Sequence, residues 1–416
     1  MIIKKPVSQL EVGDFVVAIV EQKGNFKIKS SGFVQAQSLI EILKKKGVIS
    51  VEVDTSKKME EDEPLEDSGE GHDVEPIKES ENDLSFVDKV SVEEPHLSKS
   101  AKYVEGLIKA KETFDEAVQV QSKILDDIKA GNSIDTEPVK SLVNDTIESI
   151  FENPESIACV INIRIKDKYL LEHSVSVSIL MALFAKYLDL DRDLITQLAT
   201  GAFLHDVGKI QVPEEILNKP GKLTYEEFEQ MKLHVVYTRE ILESTKGINN
   251  ISRSVASNHH EKLNGKGYPL GLKEEELSYF DKMITICDIY DALIAHRVYK
   301  QGLPQTKSFA ILRELAKNGE LDAGLVDKFI RCLGVYPVGS LVTLTTNKLG
   351  IVAHSNNDAP TKPMVTTFFD LENNHFIHAE QIDLSNDADA KIIECVMPDD
   401  YNLDIVTITE YLMRQG

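Results

Sequence analysis

The sequence predicts a multidomain protein. A mainly α-helical central bundle is flanked by a small α/β module at the N-terminus and a short β-rich appendage at the C-terminus. Three observations predict this. From Ile157 to about Leu333, apolar residues recur at helical spacing in one segment after another. Before residue 57 and after Tyr336, short β-branched runs separated by turn residues take over. Residues 57–98 are acidic, poor in aromatics and without periodicity, which reads as a disordered linker. At 416 residues the chain is also too long for one small core. The expected boundaries are 1–56 for the α/β module, 57–98 for the linker, 99–155 for connecting helices, 156–333 for the helical domain and 334–416 for the appendage.

In the first module, Phe15–Val20 and Val48–Val53 read as strands, with Gly13-Asp14 and Lys23-Gly24-Asn25 as turns. Leu39, Ile40, Ile42 and Leu43 place a helix over 38–46. Ser100–Lys129 reads as a long amphipathic helix with Val104, Leu107, Ile108, Phe114, Val118, Gln121 and Leu125 on one face. A second helix spans Glu137–Phe151, after the break at Gly131-Asn132. The pair suits either a short dimerising coiled coil or packing on the next domain. In the tail, Ser340–Thr345, Gly350–His354 and Met364–Asp370 read as strands.

Composition narrows the function classes. The formal net charge is −23, which argues against a general binder of nucleic-acid polymers or membrane surfaces. Between Met59 and Pro95 there are 15 Asp and Glu against 2 Lys, so −13 of that charge lies in one segment. Screening acts over about 8 Å at physiological salt, so this tract does not exclude an anionic substrate elsewhere. No apolar run reaches membrane-spanning length. Cys159, Cys287, Cys332 and Cys395 stand singly, without a CxxC pair, and read as reduced thiols of a cytoplasmic protein.

The chemistry concentrates in the helical domain. Five of the eleven histidines lie between residues 173 and 260: His173, His205, His234, His259 and His260. Asp206 and Asp288 accompany them. His173 opens the stripe Val177, Leu180, Met181, Phe184, Leu188, and His205 ends the face Leu194, Leu198, Ala202. His234 sits on a helix opened by the capping box Thr224…Glu227. Adjacent helical residues diverge by about 100°, so His259 and His260 share a site only near a helix end. A lone histidine on an apolar face is more often a hydrogen-bonded core residue than a ligand. Seven nitrogen and oxygen donors at inward or terminal helix positions point instead to a metal site. Asp206 points the same way, since a buried carboxylate is costly unless paired or metal-bound. Without thiolate the set suits iron, manganese, zinc or nickel. Two metals about 3.5–4 Å apart are a common device for displacement at phosphorus. Lys209, four residues beyond His205, is expected on the same helical side. His296, His375 and His378 carry no comparable support.

These residues match a known pattern. The text "HSVSVS" at His173, "HDVGKIQVPEEILNKPGKLT" from His205, "MKLHVVYTREIL" around His234, "NHHEKLNGKGYPLGL" from Asn258 and "CDIYDALIAHRVYK" from Cys287 resembles the HD-GYP branch of the HD superfamily. That branch hydrolyses cyclic dinucleotides. The resemblance covers roughly residues 160–333. Residues 1–56 also resemble the uncharacterised module that precedes many such domains. The resemblance implies one metal held by His173, His205, Asp206 and Asp288. A second would be held by His234, His259 and His260, with Asp206 bridging. Iron or manganese comes first among the metals, then nickel or zinc. Lys209 would contact the scissile phosphate, Arg297 and Lys300 the other phosphate, and Asp291 would support that lobe. Gly267, Tyr268 and Pro269 would form the substrate-side loop. Tyr169 stands where some members carry a glutamate that serves a third metal, so two metals are expected. Asn264 stands where Asp is common.

The implied activity is hydrolysis of cyclic di-GMP to pGpG and onward to GMP, with Asp206 and Lys209 in the catalytic machinery. Preference for 3′,3′-cyclic GMP–AMP is the alternative. A third reading is a non-catalytic receptor that recruits proteins such as diguanylate cyclases through the GYP loop. A homodimer is the candidate assembly.

Overall fold

The computed structural model describes residues 2–10, 14–22, 32–33, 40, 44, 48–54, 99–162, 169–295, 301–356, 358–404, 407–408 and 411. The chain divides into two compact units, Met1–Val90 and Ser91–Gly416. The expected acidic linker lies outside the described residues, as does all but residues 40 and 44 of the helix expected over 38–46.

The first unit contains strands β1 (Ile2–Pro6), β2 (Phe15–Gln22), β3 (Gly32–Phe33) and β4 (Val48–Asp54). They form an antiparallel sheet in the order β1-β4-β2-β3. Side chains alternate across a strand, so Val51 and Val53 share the buried face while Glu52 between them is only half-buried. They close a small core with Val7, Leu10, Val16, Ile40 and Val48.

The second unit begins with α1 (Lys99–Lys129) and α2 (Thr136–Glu152), both within a residue or two of expectation. Asp135 caps α2, its carboxylate accepting from the Glu137 amide. Of the two alternatives for this pair, packing holds. Phe114, Val118 and Leu125 of α1 and Val139, Val143 and Ile147 of α2 join the main core of the helical domain. Of the two neighbours expected on the inward face, Leu107 is buried but Ile108 is 44% exposed. The inward face turns because Leu107 is covered by Cys159, Val338 and the C-terminal sheet.

There follow α3 (Pro154–Asn162), α4 (Tyr169–Tyr187) and α5 (Arg192–Leu204). A 3-10 turn, Val207–Gln211, leads to α6 (Glu214–Leu217), α7 (Tyr225–Ser244) and α8 (Asn250–Asn258). Helices α9 (Tyr279–Ile294), α10 (Gln305–Lys317) and α11 (Ala323–Leu333) complete the bundle. The expected apolar stripe understates α4. Every residue from Glu172 to Ala185 is buried, because α1, α2, α3, α5, α9 and α11 all pack against it. A helix enclosed on all sides needs no polar face. One of its serines, Ser178, donates across to the Ala199 carbonyl of α5 at 2.8 Å.

Five antiparallel strands close the chain: β5 (Leu341–Leu344), β6 (Lys348–His354), β7 (Met364–Asp370), β8 (His375–Asp383) and β9 (Ile392–Val396). Their order is β8-β7-β6-β5-β9. The first three match expectation. The two edge strands, β8 and β9, were not foreseen, because β8 has no fully buried residue and β9 buries only Cys395 and Val396, so neither shows an apolar alternation. His375 and His378 lie exposed on β8. The sheet is tied to α3 by Glu155, which accepts from His354 Nδ1 at 2.6 Å and the Ser355 amide at 2.9 Å. Among the described residues no helix is long and apolar enough to cross a membrane.

Candidate metal centre

Five helices deliver the donors at their middles and ends. His173 stands on buried α4, His205 ends α5 as its C-cap, and His234 lies mid-way along α7. The Thr224–Glu227 capping box that starts α7 is present as expected. His259 is the C-cap of α8 and His260 follows it, which resolves the divergence of adjacent residues at a helix end. Asp288 and Asp291 share one face of α9. After His205 the chain does not continue as an α-helix. It tightens into the Val207–Gln211 3-10 turn, so the expected α-helical spacing of His205 and Lys209 does not apply. Lys209 nevertheless reaches the site through Asp206, at 2.5 Å.

That tight turn depends on Gly208. A Cβ there would lie 2.1 Å from the His234 carbonyl oxygen and 2.4 Å from the Thr238 nitrogen. Thr238 Oγ1 accepts from the Gly208 amide at 2.9 Å and donates to the His205 carbonyl at 3.0 Å. Gly208→Ala should therefore destabilise the protein by about 3 kcal/mol or more through overpacking and lower metal content. Chemical denaturation and elemental analysis check this; a wild-type midpoint would contradict it.

Asp206 lies at the meeting point of the donors. Its Oδ2 is 3.5 Å from His173 Nε2 and 3.3 Å from His205 Nε2. Its Oδ1 is 3.4 Å from His234 Nε2 and 3.8 Å from His259 Nε2. Asp288 joins the first group, with Oδ1 3.0 Å from His173 Nε2, and its Oδ2 lies 3.3 Å from His260 Nδ1. Two donor groups emerge that could each hold a metal: His173, His205 and Asp206, and His234, His259 and His260.

The hydrogen bonds behind these ligands orient them. His205, His234 and His259 each donate Nδ1–H to the carbonyl three residues earlier, at 2.6, 2.7 and 2.8 Å. Carbonyls only accept, so the proton sits on Nδ1 and the Nε2 lone pair faces the centre. His173 Nδ1 is held by Asp291 Oδ2 at 2.7 Å. His205 Nε2 and Asp206 Oδ1 are buried with no hydrogen-bond partner among the described residues. Unsatisfied atoms of this kind, in a donor set of imidazoles and carboxylates, fit a cation.

For the second donor group the electrostatics agree. Burial holds His234 down at about 4 and His260 at about 3, and His259 well below its ordinary range. All three imidazoles are therefore neutral at pH 7, the form that ligates. Burial also works against a charged His173, but hydrogen bonds to Asp288 and Asp291 outweigh it and raise His173 to about 8. Asp206 resists burial because His205 and Lys209 beside it hold its carboxyl well below the usual range. Asp288 is lowered likewise, chiefly by His173 and His260 against the effect of burial.

The Gly267-Tyr268-Pro269 loop folds back onto the two adjacent histidines. The Tyr268 amide donates to the His260 carbonyl at 3.2 Å, and the rings of Tyr268 and His260 are 4.7 Å apart. A Cβ on Gly267 would strike the Glu261 backbone at 2.4 Å, so only glycine permits this approach. Asn264 supplies the acceptor that Asp would supply, its Oδ1 taking the Lys266 amide at 3.1 Å. The expected phosphate contacts Arg297 and Lys300, with His296, lie outside the described residues. Tyr169 begins α4, and its side chain is likewise outside them.

One organising residue was missed by the sequence reading. Glu261 is buried, and its carboxylate accepts from the amides of Leu270, Gly271 and Leu272 at 2.7, 3.2 and 2.9 Å. Only its place directly after His259-His260 hinted at this. Bonds to a charged acceptor contribute about 1.5–3 kcal/mol each. Glu261→Ala should therefore speed hydrogen exchange at Leu270 and Leu272 by at least about tenfold, while metal content stays. Unchanged protection of those amides would remove the clamp from the account.

Comparisons with known proteins follow the same outline. Residues 159–325 match the family model for the HD domain. Residues 2–139 match a domain of unknown function, DUF3391, which runs on past residue 56 through the acidic segment and α1. Residues 341–404 match a KOW domain associated with the HD domain. The chain is similar to the cyclic di-GMP phosphodiesterase PA4108 of Pseudomonas aeruginosa, 34% identical over 258 residues that make up 62% of each chain. The chain thus spans about three fifths of that relative's length. It is also similar to the 3′3′-cGAMP-specific phosphodiesterase 3 of Vibrio cholerae, 41% identical over 36% of this chain and 32% of the relative. Among solved structures, Bd1817, an HDG"Y"P protein from Bdellovibrio bacteriovorus, aligns with 79% of this chain and 98% of its own, at 16% identity and a TM-score of 0.41. With the HD motifs converging on Asp206, the chain carries an HD domain at residues 159–325, preceded in sequence by the DUF3391 match and followed by a KOW domain associated with it.

Proposed function

We propose that the protein is a metal-dependent phosphodiesterase that hydrolyses a cyclic dinucleotide, with cyclic di-GMP as substrate and linear pGpG as first product. One observation carries the reading. The two oxygens of Asp206 face different donor groups, Oδ2 toward His173 and His205 and Oδ1 toward His234 and His259. A carboxylate placed so suits two divalent ions; the absence of thiolate leaves iron, manganese, zinc or nickel, and the family resemblance puts iron or manganese first. His173, His205, Asp206 and Asp288 would hold one, and His234, His259 and His260 the other. When bound, such ions supply Lewis acidity and a nucleophile at neutral pH.

The chain's own residues do the rest. Asp291 fixes the ring of His173. Lys209, with its ammonium beside Asp206, stands where it can neutralise charge developing on phosphoryl oxygens. The Tyr268 loop covers His260 and limits water on that side. We assign this chemistry to a catalytic domain of residues 156–333, with Arg297 and Lys300 on the second phosphate.

A second substrate reading, 3′,3′-cyclic GMP–AMP, is favoured by the 41% identity to a relative named for that substrate. The test is turnover of both dinucleotides by metal-loaded full chain, with products resolved by chromatography. Release of pGpG is the expected result. Tight binding of either dinucleotide without any product would sink the enzyme reading and leave the receptor.

A further inference from the structure

Beyond the metal ligands, an aromatic shelf runs outward along α7. The Tyr268 ring packs 4.7 Å from that of His260. The Phe228 ring stands 6.3 Å from Tyr268 at 82°. Between them sits the Lys232 ammonium, 5.0 Å from the Phe228 centroid and 5.7 Å from that of Tyr268. Glu229 Oε1, 2.6 Å away, helps hold it there. Phe228 is 44% exposed, so core packing does not account for it. A single exposed aromatic needs no explanation. This one abuts the centre through a continuous row of rings and holds a cation at its edge.

We propose that Phe228, Tyr268 and Lys232 form the base platform of the substrate site, selective for guanine. This rests on the phosphodiesterase reading of the same site. A purine stacks on any aromatic face, so Phe228 supplies affinity without choosing the base. Lys232 makes the choice. Its ammonium only donates, and guanine offers O6 and N7 as acceptors, whereas adenine puts an amino donor where O6 would be.

The test is steady-state kinetics on metal-loaded full chain with cyclic di-GMP and cyclic di-AMP, alongside elemental analysis. Phe228→Ala should raise KM for cyclic di-GMP about tenfold, with kcat within about twofold and metal content unchanged. Phe228→Trp should restore KM. Lys232→Ala should raise KM for cyclic di-GMP more than for cyclic di-AMP and so narrow the preference. An unchanged KM in Phe228→Ala, or a rise that Trp does not restore, overturns the platform. If the wild type turns over no cyclic dinucleotide, the phosphodiesterase reading falls on its own. Calorimetric Kd values for cyclic di-GMP in the same variants then read the platform, with a tenfold weakening in Phe228→Ala supporting it and none overturning it.

Discussion

Asp206→Ala is expected to lose bound metal and turnover together, with kcat down by at least about 10³-fold. The reason is positional. No other described side chain presents one oxygen to His173 and His205 and the other to His234 and His259. Without that carboxylate both donor groups are reduced to imidazoles, with Asp288 left on one side. Lys209 also loses its 2.5 Å partner, and an uncompensated ammonium remains beside the site. The fold should persist, because the imidazoles of His205, His234 and His259 stay anchored through Nδ1 to backbone carbonyls. Elemental analysis, circular dichroism and a cyclic di-GMP assay on one preparation check this. A folded variant that keeps wild-type metal content would remove Asp206 from the bridging role.

Lys209→Met should separate the two effects that Asp206→Ala combines. Methionine keeps much of the apolar stem and deletes the charge. Lys209 is not a ligand, so metal content should hold while kcat falls about 10²–10³-fold, the usual loss when one electrostatic donor to the developing charge is removed. KM should move less, since the charge it meets grows in the transition state. Loss of metal in parallel with kcat would show instead that the lysine serves only to keep Asp206 in place. Activity near wild type would exclude both roles.

How much of this was legible beforehand can be judged residue by residue. Thr224…Glu227 marked the start of α7 because a capping box is a local hydrogen-bond pattern written in four consecutive residues. The helical period of 157–333 likewise reports local geometry. Ile108 was misplaced because the inward face of α1 depends on which partner covers each turn, and Leu107 meets the C-terminal sheet there. The full burial of α4 was hidden for a related reason. Apolar periodicity shows one covered face and does not count how many helices surround it. Strands β8 and β9 were invisible because exposed edge strands need no alternation.

The sequence by itself determined the helical class of the domain, the seven candidate donors and their chemical type, and the family resemblance, since these depend on residue identity and short-range spacing. Only the tertiary structure decided that Asp206 turns its two oxygens to different histidine groups. It also decided that Nδ1 anchors turn the Nε2 atoms toward the centre, that Glu261 clamps the loop after His260, and that Phe228 and Lys232 extend the ring of Tyr268. Those are relations between side chains brought together from α4, α5, α7, α8 and α9. Their energies depend on angstrom-scale distances that no single stretch of chain encodes.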